Sequence, residues 1–134
     1  MTKPVWAIGI GCRQAVSADE IRDLLARAFA RLGWDALPPG LTLCTVDSKV
    51  REPGLVRAAM ALGLPLVGLD AATLSTIDTP TPSAGPDRGL PPVAEAAALA
   101  GCGAPQNRSA HLVLPRIQGP ASTCAVACSQ GVTP

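Results

Sequence analysis

The chain has 134 residues and a formal net charge of +1, which is the length of one domain, large enough to bury about two-thirds of its unfolded surface without disulfides or a metal. A near-neutral balance with no Lys/Arg cluster argues against a DNA or RNA partner. The first apolar run, residues 5–10, falls far short of the roughly 20 residues that span a bilayer and of a secretory core, so a soluble, cytoplasmic protein with no membrane partner is expected.

Residues 5–10 read as a first strand, followed by Gly9-Ile10-Gly11-Cys12-Arg13 as a strand-to-helix turn. Glycines there let backbone approach a ligand, and the arginine offers a cationic fork for carboxylate or phosphate. Ser17 and Glu20 form a capping box, and apolar positions at Ile21, Leu24, Leu25, Ala28, Phe29 and Leu32 mark one helix face, closed by Gly33. The charges between them read as a solvated face, with Asp23 and Arg27 as a surface pair.

A second strand is expected over residues 41–46, a short helix over 52–62 closed by Gly63, and a third, buried strand over 64–69, with Asp70 placed to cap the next turn or two. Prolines at 80, 82 and 86 and glycines at 85 and 89 then break the pattern, giving a loop over about residues 75–91 that is longer than structural connections usually are. Pro92 suits the first turn of a helix over 93–100, ended by Gly101. Two last strands, over 111–114 and 122–128, are close enough to pair antiparallel through residues 115–121. Alternating strands and helices predict one α/β domain over residues 1–134, a three-layer α/β/α sandwich around a mixed, mainly parallel sheet of about five strands.

Five cysteines, an odd count without C-x-x-C, point to reduced thiols rather than a disulfide framework or zinc site. Cys44 and Cys124 read as small core residues, and Cys12, in the glycine turn near Arg13, is the one thiol set apart by its surroundings, though the cysteines, Cys12 included, are expected to be dispensable. Gln14 stands where a dinucleotide fingerprint needs its third glycine, so no nucleotide cofactor is expected, and no metal. The single histidine, His111, opens a strand and reads more simply as structural than as a ligand. Trp6 and Trp34 read as core or rim packing. In a parallel sheet the carboxyl ends of neighbouring strands share one edge, where ligands usually bind; Arg13, Lys49 and Arg51 are expected to gather there, with Asp47 and Glu52 as their partners or as helix-terminal charges.

The succession of Gly9-Ile10-Gly11-Cys12-Arg13, Asp47-Ser48-Lys49, Glu52-x-Gly54-Leu55, Gly63-Leu64-Pro65-Leu66, Thr81-Pro82-Ser83 and residues 93–99 resembles the CobE/CbiG C-terminal domain family of cobalamin biosynthesis over nearly the whole chain, at the length of its stand-alone members. Arg116 departs from the pattern, which leads one to expect a lysine before the last strand. The resemblance implies a domain that acts on or holds a methylated corrin-ring precursor. In the longer members, the similar domain belongs to an enzyme that opens a ring lactone and releases a two-carbon fragment.

A corrinoid-binding or handover protein is therefore expected. Gly9, Gly11, Cys12, Arg13, Asp47, Lys49, Arg51 and Arg116 are expected to bind the ligand, with Arg13, Lys49 and Arg51 taking its carboxylates, and Thr79, Thr81 and Ser83 contribute hydroxyls from a loop covering that edge. The competing expectation is a hydrolase acting on a precorrin-5A-like lactone, with Asp47, Glu95 or His111 as acid or base. Support of another enzyme of the pathway, through direct association, is a third.

Overall fold

The first strand, β1 (Val5–Cys12), runs two residues past its expected end because β5 (Ser122–Ser129) pairs with it antiparallel over its whole length, from Val5 opposite Ser129 to Cys12 opposite Ser122. The ladder extends to the Arg13 N–H, which donates to the Ala121 carbonyl at 2.9 Å. Gly9, Gly11 and Cys12 are thus strand residues, and the turn into the first helix begins only at Arg13. The computed structural model describes residues 4–77, 79 and 93–129; Thr81, Ser83, Pro92 and most of the expected loop lie outside them.

Helix α1 (Ala18–Leu32) starts at Ser17, whose hydroxyl accepts from the Glu20 N–H, and ends at Gly33 in the left-handed conformation. Only half of the capping box forms. The Glu20 carboxylate turns away and accepts from the Ala121 N–H at 2.6 Å and the Ser122 hydroxyl at 2.9 Å, tying α1 to the hairpin before β5. Arg27 likewise donates to the Gln118 carbonyl.

β2 (Thr42–Val46) leads through a single 3-10 turn, Asp47–Lys49, into α2 (Pro53–Leu62), which Gly63 closes. β3 (Leu66–Leu69) and α3 (Ala71–Leu74) come next in the chain, with the Asp70 side chain capping α3. α4 (Val93–Gly101) continues through Gly101, one residue beyond its expected end, and the left-handed glycine is Gly103.

β4 (Ala110–Gln118) is much longer than expected and contains Pro115 and Arg116, so that only residues 119–121 connect it to β5. Proline is tolerated because β4 is an edge strand, and its pairing with β5 is irregular between Leu112 and Ile117.

The sheet order is β3-β2-β1-β5-β4. β1, β2 and β3 pair parallel, and β5 runs against both β1 and β4, so four of the five strands point one way. β3 is the other edge and only half-buried, where its apolar run predicts full burial; Val67 is exposed.

The two faces are built differently. Ile8, Ile10, Leu43, Cys124 and Val126 meet α1 and α2 through Ile21, Leu24, Leu25, Leu55 and Ala58, a core of large aliphatic side chains. Trp6, Phe29 and Trp34 pack at its margin, Trp6 edge-on to Trp34 with ring centres 5.2 Å apart. On the opposite face Ala7, Cys44, Ala125 and Ala127 meet Ala94, Ala97, Ala98 and Leu99 of α4. Small residues on both sides let helix and sheet approach closely. A Cβ on Gly9 would stand 1.8 Å from the Ala94 carbonyl oxygen, and one on Gly101 would stand 2.7 Å from the Ala7 Cβ. Both glycines serve helix packing, which corrects the expectation that Gly9 brings backbone to a ligand.

Candidate functional site

Beyond the last β1–β2 pair, Gly9 opposite Cys44, the two strands part. The buried Thr45 hydroxyl bridges the gap by donating to the Ile10 carbonyl at 2.8 Å. Past this bridge, at the carboxyl ends of β1 and β2, lies a cavity of about 300 Å³ lined by Gly11, Cys12, Arg13, Gln14, Val46, Ser48, Lys49 and Val93. It is walled by the turn after β1, by the 3-10 turn after β2 and by Val93 at the start of α4.

The turn that carries Arg13 and Gln14 is held from three sides. Arg13 is anchored through its backbone to Ala121, and the Ala15 N–H donates to the Glu52 carboxylate at 2.6 Å. Ala15 itself adopts φ 64°, a left-handed conformation that costs a non-glycine residue about 1–2 kcal/mol. The start of α2 presses on the same turn, for a Cβ on Gly54 would stand 2.1 Å from the Val16 carbonyl oxygen. Glu52 and Gly54 therefore position the cavity wall without lining it.

Of the residues expected at this edge, the structure brings Gly11, Cys12, Arg13 and Lys49 together. Arg51 is exposed in the turn before α2 and lines no part of the cavity. Asp47 is directed at β3, its Oδ1 lying 2.5 Å from where a Gly68 Cβ would be. Arg116 is half-buried in β4, and its N–H donates to the Glu95 Oε2 at 2.9 Å. Glu95 is completely buried and holds this irregular stretch of β4. His111 lies near the start of β4, at the opposite end of the sheet beside the Cys128 register position, with its Nδ1 donating to the Ser109 carbonyl at 2.9 Å. Thr79 is half-buried.

Gln14, Val46, Ser48 and Val93 complete the cavity, and none of them is marked as functional by residue type or spacing. Ser48 falls inside the Asp47-Ser48-Lys49 segment, but the two valines carry no signal beyond hydrophobicity.

All five cysteines are buried free thiols. Burial pushes the Cys12 thiol up, and the nearby Lys49 ammonium only partly opposes this. Cys12 is therefore held as a protonated thiol at neutral pH, and its surroundings do not activate it. Among the described residues, no group of three or more His, Cys, Asp or Glu side chains is placed to hold a metal ion, and no helix is long and apolar enough to cross a membrane.

The cavity presents two cations, backbone at a strand end and a small apolar wall, which together suit an anionic group of a ligand. Comparison with known proteins places the chain in a family. The family described as cobalamin synthesis G C-terminus matches residues 6–127. The chain is 34% identical over 125 residues to the protein CobE of a Sinorhizobium species, covering 90% of this chain and 77% of that one. It is 33% identical over 79 residues to a cobalt-precorrin-5A hydrolase of Priestia megaterium, covering 59% of this chain but only 21% of that enzyme. The crystal structure of CobE, a protein from the cobalamin biosynthetic pathway, superposes with a TM-score of 0.69 at 29% identity, over 95% of each chain.

Proposed function

This chain belongs to the cobalamin synthesis G C-terminus family, and on that premise we propose that it binds and hands over a methylated corrin-ring precursor in cobalamin biosynthesis. The observation that carries the proposal is the convergence of Arg13 and Lys49 on one cavity at the carboxyl ends of β1 and β2. Such precursors carry several acetate and propionate arms, each a carboxylate that an arginine fork or a lysine takes as a charge-assisted hydrogen bond.

Size decides how the ligand sits. About 300 Å³ is at the lower limit of small-molecule sites and is too little for a macrocycle with its substituents. The cavity receives a carboxylate arm, while the ring rests outside against the rim. Release then requires breaking only a few polar contacts, which suits handover to another enzyme of the pathway in the cytoplasm.

The similarity to a cobalt-precorrin-5A hydrolase favours a second reading, lactone opening on the same ring. The placement of the acid-base candidates weighs against it here, since Asp47, Glu95 and His111 all stand outside the cavity lining. Titration of the protein with hydrogenobyrinic acid, followed by absorbance, tests the proposal. A saturable spectral shift is expected, and none at millimolar protein would overturn it.

A further inference from the structure

Gly9 and Gly11 occupy equivalent positions on the same face of β1, yet the space each leaves is bounded differently. At Gly9 the nearest atoms to an added Cβ are backbone of α4, at 1.8 Å and 2.5 Å, so helix contact accounts for the glycine. At Gly11 the nearest atom is the Thr123 Oγ1 at 2.9 Å, followed by Val93 Cβ at 3.6 Å and the Ala94 nitrogen at 3.9 Å. No helix backbone presses on Gly11, which instead lines the cavity together with Val93.

Thr123, opposite Gly11 in the β1–β5 ladder, is completely buried, and its hydroxyl has no hydrogen-bonding partner among the described residues. Leaving a buried hydroxyl unpaired is unfavourable, and such groups in folded proteins call for a specific explanation. Ala94 belongs to the first turn of α4, a nine-residue helix whose leading N–H groups lack intrahelical partners and carry the positive end of its dipole. A hydroxyl donor and a helix N-terminus thus converge on the notch left by the missing Gly11 side chain.

We propose that the Gly11 notch, with the Thr123 hydroxyl and the first turn of α4, is a carboxylate subsite that orients one acetate arm of the ligand. The inference rests on corrinoid binding at this edge and adds the residues that select the bound group. Arg13 and Lys49 attract the anion; Thr123 and the α4 amides fix its direction as the Val93 side chain gives way. A carboxylate is preferred over its amide because the Arg13 and Lys49 cations and the positive end of α4 favour a negative charge at this place.

The test compares wild type, Thr123→Val, Thr123→Ser and Gly11→Ala by titration with hydrogenobyrinic acid and with the same ring bearing amidated acetate arms. Valine is close to threonine in shape and removes an unpaired hydroxyl, so the Thr123→Val melting temperature should be unchanged or higher. Its affinity for the free acid should fall about tenfold, the loss of one hydrogen bond to a charged group. Thr123→Ser should restore affinity, and Gly11→Ala should lose it by filling the notch. Wild type should prefer the acid, and Thr123→Val should lose part of that preference. Wild-type binding with unchanged affinity in Thr123→Val would overturn the subsite while leaving corrinoid binding intact. Absence of binding by the wild type would overturn both.

Discussion

The Thr45 hydroxyl donates to the Ile10 carbonyl across the point where β1 and β2 separate, at 2.8 Å and with no solvent access to Thr45. This single bond satisfies a carbonyl that the parallel ladder has left behind, and it ties β1 to β2 beyond their last ladder pair. Replacing Thr45 by valine keeps the shape and removes the donor, leaving the carbonyl buried and unpaired. Urea unfolding should show a loss of about 1–3 kcal/mol with an unchanged slope. An unaltered midpoint would show that the strands do not depend on the bridge.

Gly9→Ala should be far more damaging than a similar change at Gly33. A Cβ at Gly9 would collide with α4 backbone, which cannot rotate away, whereas Gly33 has open space around it and only its left-handed backbone to lose. The expected losses are about 3 kcal/mol or more at Gly9 and about 1 kcal/mol at Gly33. Thermal melts of the two variants decide the order, and comparable losses would contradict direct contact between β1 and α4.

Helix periodicity made α1 and α2 legible, because their stripes of Ile21, Leu24, Leu25, Leu55 and Ala58 each pack on one face only. α4 is buried at every position from Ala94 to Leu99 and has no stripe, so its flanking proline and glycine are what mark it. Strand ends were less legible, since β1 is extended by pairing with a strand more than a hundred residues away. Gly9 and Gly11 look alike in sequence, and only the position of α4 separates packing from cavity. Arg13 and Lys49 could be placed at one edge from strand order alone; Asp47, Arg51 and His111 were separated from them by turn direction and register, which no residue type encodes.

The buried thiols make stability sensitive to alkali. Burial raises the Cys102 and Cys124 thiols from the ordinary 9.0 to about 12. Above about pH 9 the unfolded chain releases thiol protons that the folded chain retains, so the contribution is complete below pH 9 and is lost as pH rises towards 12. Unfolding free energy should therefore decline steeply over that range. Iodoacetamide at about pH 8, below the ordinary thiol range, should leave the native thiols largely unmodified, Cys12 included, and rapid labelling of Cys12 would contradict its raised pKa.

Arg13→Ala and Lys49→Ala should each weaken hydrogenobyrinic acid binding about tenfold without loss of fold, since both side chains stand at the cavity and outside the core. Affinity of the wild type should fall with added salt, and the double variant should be less salt-sensitive. Arg51→Ala should have a smaller effect, and His111→Ala, at the other end of the sheet, none. Full affinity in both Arg13→Ala and Lys49→Ala would separate the cavity from binding.

Native mass spectrometry with a lactone-bearing precorrin-5A-type intermediate decides between carriage and chemistry, because one spectrum reports both. A carrier should give a complex whose mass is that of the protein plus one intact ligand, and the ligand should be recovered unchanged on denaturation after hours of incubation. A ligand recovered with its lactone opened and two carbons lost, or no complex at all, would contradict binding and handover.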